Sequence, residues 1–154
     1  MTIRNNILFI AALLFSLCAN SAVELNKDPL FINLTSNESH RATMAIGFGN
    51  NQLLKGHPLV VFLNDKGVLL ASAKNSSKFT TQQQLIQDII KSGGTVYACP
   101  SCIKHYGVNE ADLIPGVKIS NPDLTEAALF ADDVRTLSWG VVAQIRELSR
   151  SLVI

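Results

Sequence analysis

The sequence predicts an α/β fold: a three-layer sandwich built on a mainly parallel five-stranded sheet, with a helix appended at the C-terminus. Three observations carry this expectation. Short apolar runs of strand length alternate along the chain with longer stretches of helical period. Leu59-Val60-Val61-Phe62-Leu63 is apolar without interruption, the pattern of a strand covered on both faces in a parallel sheet. Gly93-Gly94 then opens Thr95-Val96-Tyr97-Ala98, which has strand character and passes through Cys99-Pro100 into a short helical run closed by Gly107.

Taken in order, Pro29–Leu34 is the first strand, and Thr35–Ser39 is a turn rich in helix-capping residues. From His40, Ala42, Ala45, Ile46 and Phe48 or Gly49 recur at helical spacing, and the small residues suggest close packing on a sheet. Gly47 and Gly49 predict a weak or interrupted second half to that helix. After the Leu59–Leu63 strand, Asn64–Gly67 is a turn, Val68–Ala71 is a short apolar piece of undecided type, and Ser72–Lys78 reads as a polar loop. Thr80 or Thr81 caps a helix whose Leu85, Ile86, Ile89 and Ile90 form one face.

Beyond the cysteine segment, Val108–Leu113 reads as a helical turn and Val117–Ile119 as a short strand. Asn121–Phe130 reads as a helix capped by Asp123, and Val134–Ser138 as the last strand. The first strand, Leu59–Leu63 and Val96–Ala98 are expected at the centre of the sheet. Residues 140–154 carry Val141, Ile145, Leu148 and Leu152 on one helical face opposite Arg146, Glu147 and Arg150. Such a face packs on its own domain or on another subunit.

The N-terminus has a tripartite layout: Arg4, an apolar run from Ile7 to Leu17, and small or polar residues from Cys18 to Ala22. This predicts a signal peptide over residues 1–22, cleaved after Ser21 or Ala22, and a periplasmic or secreted protein. An uncleaved anchor is the competing reading. Lipidation of Cys18 is disfavoured by Leu17, where a small residue is expected. Cleavage leaves 132 residues, enough for one domain. It also removes Arg4 from 13 basic residues, leaving 12 against 12 acidic. A balanced charge without a basic block argues against a nucleic-acid partner, and no membrane attachment is expected after cleavage.

Cys99 and Cys102 are then the only thiols of the mature chain. They lie at the end of a central strand, where open α/β sheets place their ligands. A cysteine there meets the positive end of a helix dipole, which favours thiolate. The pair reads as reactive sulfur, with a disulfide staple or simple core packing as the competing explanations. His105 shares a helical face with Cys102, and Lys104 is a candidate cation near the thiols, although both are also ordinary surface residues. Cys99, Cys102 and His105 fall one ligand short of a closed zinc site, although the thiol pair would suit soft Cu(I). No Gly-rich phosphate loop or nucleophile elbow is present, and no cofactor or metal is expected.

The chain resembles the DsrE/DsrF-like family, which includes the DsrE and TusD sulfur-relay subunits and YchN-like proteins. The likeness spans about residues 29–139. It rests on Gly56–Val68, on the Val96–Val108 cysteine segment, and on Leu124–Trp139. It implies assembly into trimers or hexamers, with sulfur handed as a cysteine persulfide between a donor and an acceptor protein, here unknown. By that resemblance, Cys99 matches the sulfur-carrying position of DsrE and TusD, and Cys102 the second cysteine of the C-x-x-C form among YchN-like members. Two departures stand out. Sulfur-relay members are cytoplasmic, so an exported member is not expected to serve tRNA thiolation. Cys102 could also resolve a persulfide into a disulfide.

Overall fold

The computed structural model describes residues 26–140. The expected signal peptide and the expected C-terminal helix lie outside those residues, Gly140 excepted. β1 (Leu30–Leu34), β2 (Leu59–Leu63), β3 (Thr95–Ala98), β4 (Lys118–Ile119) and β5 (Arg135–Trp139) form one sheet in the order β4-β3-β2-β1-β5. Every pairing is parallel, with Leu30 opposite both Leu59 and Arg135, and Val61 opposite Val96. The three strands expected to be central are central. The α/β sandwich expected from the alternation of elements is the architecture of the domain.

Side chains alternate between the two faces of each strand. One face carries Ile32, Leu34, Val61, Leu63, Val96 and Ala98, all buried. Against it pack α1 (Ser39–Leu54), through Ala42, Ala45 and Ile46, and α2 (Ser76–Lys91), through Phe79, Ile86 and Ile89. Each large apolar side chain buried there stabilises the fold by roughly 1.5–3 kcal/mol. The other face carries Phe31 and Phe62, whose ring centroids are 6.2 Å apart. With Asn33, Thr136 and Ser138 they line a cavity of about 260 Å³ against Thr125 and Leu129 of α4 (Pro122–Leu129). Val60 and Phe62 are consequently half-buried, so β2 is tightly covered on only one face.

Several local expectations are corrected. α1 runs unbroken to Leu54 despite its glycines. A Cβ at Gly49 would lie 2.8 Å from Cδ1 of Ile32, so this glycine lets the helix approach the sheet. The α1 cap is Glu38, whose carboxylate accepts from the backbone N–H groups of His40 and Arg41 at 2.9 and 2.8 Å. Those bonds hold its carboxyl below the usual value. The polar stretch from Ser72 is structured: Ala73–Asn75 is a 3-10 turn and α2 starts at Ser76. Phe79 departs from helical angles (φ −122°, ψ 32°) and its ring is buried, so regular helix resumes near the threonines expected to begin it. Val68–Ala71 belongs to a longer 3-10 turn, Asp65–Ala71. The cap of α4 is Asn121, which accepts from Leu124 N–H at 2.8 Å, rather than Asp123.

Candidate functional site

Parallel pairing sets the carboxyl ends of β2 and β3 side by side, and the site is built where the two strands stop. Cys99 N–H donates to the Leu63 carbonyl at 3.0 Å, extending the ladder by one residue. Its own carbonyl then accepts from Ile103 N–H at 2.9 Å, which starts α3 (Pro100–His105). Cys99 is therefore the last extended residue and the cap of the helix, with Pro100 in the first turn, where no N–H is required. Ile103 is buried in the core and anchors α3, while Gly107 ends the segment at φ +65°.

Beyond β2 the chain turns sharply. Asn64 N–H donates to the Leu34 carbonyl at 2.9 Å, and Gly67 N–H to the Asn64 carbonyl at 2.8 Å. A Cβ at Gly67 would run into the Leu34 carbonyl oxygen, so only glycine fits this approach to β1. The turn points Asn64 and Asp65 at α3. The Cys102 thiol donates to Asn64 Oδ1 at 3.0 Å, and Asp65 N–H donates to Cys102 Sγ at 3.2 Å. Asp65 takes the left-handed conformation (φ +46°), and its carboxylate accepts from the Tyr106 hydroxyl one helical turn beyond Cys102. Through that bond Asp65 raises the Tyr106 hydroxyl above its ordinary value.

The two cysteines are free thiols, each half-buried. Burial, helped by the neighbouring Cys99 thiol, pushes Cys102 up to about 11 against the pull of Asp65 N–H. Cys102 is thus a neutral thiol near neutral pH. Cys99 bonds the strand and the helix through its backbone, and its thiol lies against that of Cys102. Lys104 and His105 are exposed, and the His105 ring meets Tyr106 edge-on at 4.7 Å. Among the described residues neither makes a hydrogen bond or ion pair to a thiol, and no group of three His, Cys, Asp or Glu residues is arranged to hold a metal.

Asn64, Asp65 and Tyr106 join the site without having been singled out as its members. The available signal was Asn64-Asp65 directly after a central strand, because parallel neighbours bring consecutive strand ends together. A second cavity, of about 300 Å³, lies at the amino end of the sheet between Phe48, His57, Arg135 and Leu137, away from both cysteines.

A parallel α/β sandwich with a cysteine pair at the carboxyl end of a central strand defines a class of thiol-bearing α/β domains. The chain belongs to the DsrE/DsrF-like family, whose model matches residues 27–135. The family is known broadly for sulfur relay. Its members work with partner proteins and often oligomerise. An uncharacterized protein of Methanocaldococcus jannaschii is 34% identical over 98 residues, covering 62% of this chain and 86% of its own length. One from Methanopyrus kandleri is 32% identical over 96 residues, covering 61% and 79%. Among solved structures, the YchN protein of E. coli matches with a TM-score of 0.60 at 20% identity, over 71% of this chain and 99% of YchN. A protein of unknown function from Methanobacterium thermoautotrophicum matches with a TM-score of 0.55 at 12% identity, over 72% of this chain and 98% of its own. At these identities the structural likeness bears on fold alone.

Proposed function

We propose that this protein is an exported sulfur carrier in which Cys99 takes up sulfane sulfur as a persulfide and passes it to a partner protein. The carrying observation is the inequality of the two thiols. The Cys102 sulfur is bonded to the Asn64–Asp65 turn and is kept protonated by burial and the adjacent Cys99 thiol, whereas Cys99, at the strand-to-helix junction, bonds the scaffold through its backbone. Uptake is attack by the Cys99 thiolate on the outer sulfur of a persulfide or polysulfide donor, which leaves with the electron pair of the broken S–S bond. Delivery is the same exchange in reverse, with an acceptor thiolate taking the outer sulfur from Cys99. This is carrier chemistry rather than self-contained catalysis. Export rests on the sequence of residues 1–22. A trimer or hexamer fits the exposed Leu124 of α4 and Phe130 just beyond that helix, and light scattering of the purified chain tests it.

The experiment is intact mass of the mature protein, purified without reductant, before and after exposure to polysulfide. A gain of about one sulfur on the reduced chain, abolished in Cys99→Ser, is the expected result. A chain two protons lighter than the reduced form, with no uptake, would replace the carrier by a Cys99–Cys102 disulfide.

A further inference from the structure

We infer that Asn64 is a positioning residue that holds Cys102 in reserve by accepting its S–H, and so sets how long a persulfide survives on Cys99. This inference rests on the carrier reading and adds a residue to it.

The orientation of the Asn64 amide is fixed by its own backbone neighbour. Asp65 N–H donates to Asn64 Oδ1 at 2.9 Å, and the same oxygen accepts from Cys102 at 3.0 Å. Turning the amide over would set its NH₂ against the Asp65 N–H, donor against donor, so the oxygen faces the thiol. An acceptor at that position stabilises S–H over S⁻. The turn that carries the amide is itself locked, because Asn64 N–H bonds the Leu34 carbonyl and Gly67 packs on the same oxygen.

The consequence is chemical. The competing reaction of a persulfide on Cys99 begins when Cys102 loses its proton to solvent. The Cys102 thiolate then attacks Cys99 Sγ, the S–S bond of the persulfide breaks, and the outer sulfur leaves with the electron pair as hydrosulfide. The products are a Cys99–Cys102 disulfide and hydrogen sulfide, and no outside oxidant is required. Only the thiolate attacks, so a thiol tied to Asn64 slows this loss. The other groups facing Cys102 are Cys99 and Tyr106 on its own segment and the Asp65 carboxylate on the turn. Lys66, Lys104 and His105 extend those elements into solvent.

The test is the pH profile of Cys102 alkylation in full-length Cys99→Ser protein, with Asn64 kept or changed. Asn64→Ala removes the acceptor and is expected to move the midpoint down, speeding alkylation near neutral pH by roughly three- to tenfold. Asn64→Asp keeps an acceptor of the same shape and adds a negative charge, so its midpoint is expected to move up. A residue that merely supports the turn would make both variants shift the same way or leave the midpoint in place, and either result overturns the inference. With Cys99 restored, Asn64→Ala is expected to release hydrogen sulfide from the loaded chain several-fold faster than wild type. Alkylation needs no bound sulfur, so a chain that never loads would overturn the carrier reading while leaving the Asn64 assignment standing.

Discussion

The two ends of the sheet place polar groups in opposite ways. At the amino end, Asp28 is buried and its carboxylate accepts from Nε and Nη2 of Arg135 at 2.9 and 2.7 Å, while His57 Nδ1 donates to the Asp28 carbonyl at 2.9 Å. That cluster ties the start of edge strand β5 to the residues leading into β1. At the carboxyl end, Asn64, Asp65 and Tyr106 are arranged around a thiol, and among the described residues no cation is bonded to it. Pairing charges fastens a strand. Around the thiol an amide oxygen and a single N–H stand in place of a paired charge. The first arrangement ties two segments of the fold together, and the second is the one for which a chemical role is proposed.

The sharpest way to break the carboxyl end is Gly67→Ala. The new Cβ collides with backbone that cannot swing aside, so stability is expected to fall by roughly 3 kcal/mol or more, read as the midpoint of urea denaturation. An unchanged midpoint would mean the turn is far more yielding than its contacts indicate. The amino end should break more gently. The Arg135 side chain is 72% exposed, so solvent screens its pairing with Asp28, and Arg135→Ala is expected to cost about 1 kcal/mol. Sulfur uptake should stay at the wild-type level in that variant. A loss of uptake would mean that the two ends are coupled.

The smallest effect lies at neither end. Glu38 is exposed, and its carboxyl is held below its unfolded value by the first N–H groups of α1. Stability from this cap is present above the unfolded carboxylate range and is lost as pH falls through the folded value. Glu38→Gln is therefore expected to flatten the decline in melting temperature between about pH 6 and about pH 3. Parallel curves for variant and wild type would remove the cap from the account.

Much of this arrangement was legible in the sequence, because hydrophobic patterning reports directly on burial. The unbroken Leu59–Leu63 run marked a central strand, and Gly93 to Cys99 marked the strand end that carries the thiols. What escaped depends on contacts distant in sequence. Gly49 looks like a helix breaker until Ile32 is seen beneath it. Gln82 and Gln83 look like surface residues, yet Gln82 bonds Ser39 and Thr43 of α1 and Gln83 bonds the Ser72 carbonyl. Asn64 and Asp65 look like an ordinary turn, and their contact with Cys102 appears only when parallel pairing sets β2 beside β3. Composition does not record a hydrogen bond between residues 38 positions apart.

The most direct test of the central claim compares sulfur uptake by Cys99→Ser and Cys102→Ser under equal polysulfide exposure, read by intact mass over time. The account predicts that Cys102→Ser gains one sulfur and retains it longer than wild type, whereas Cys99→Ser gains none. Uptake by Cys99→Ser, with loss of uptake in Cys102→Ser, would contradict the account and make Cys102 the carrier.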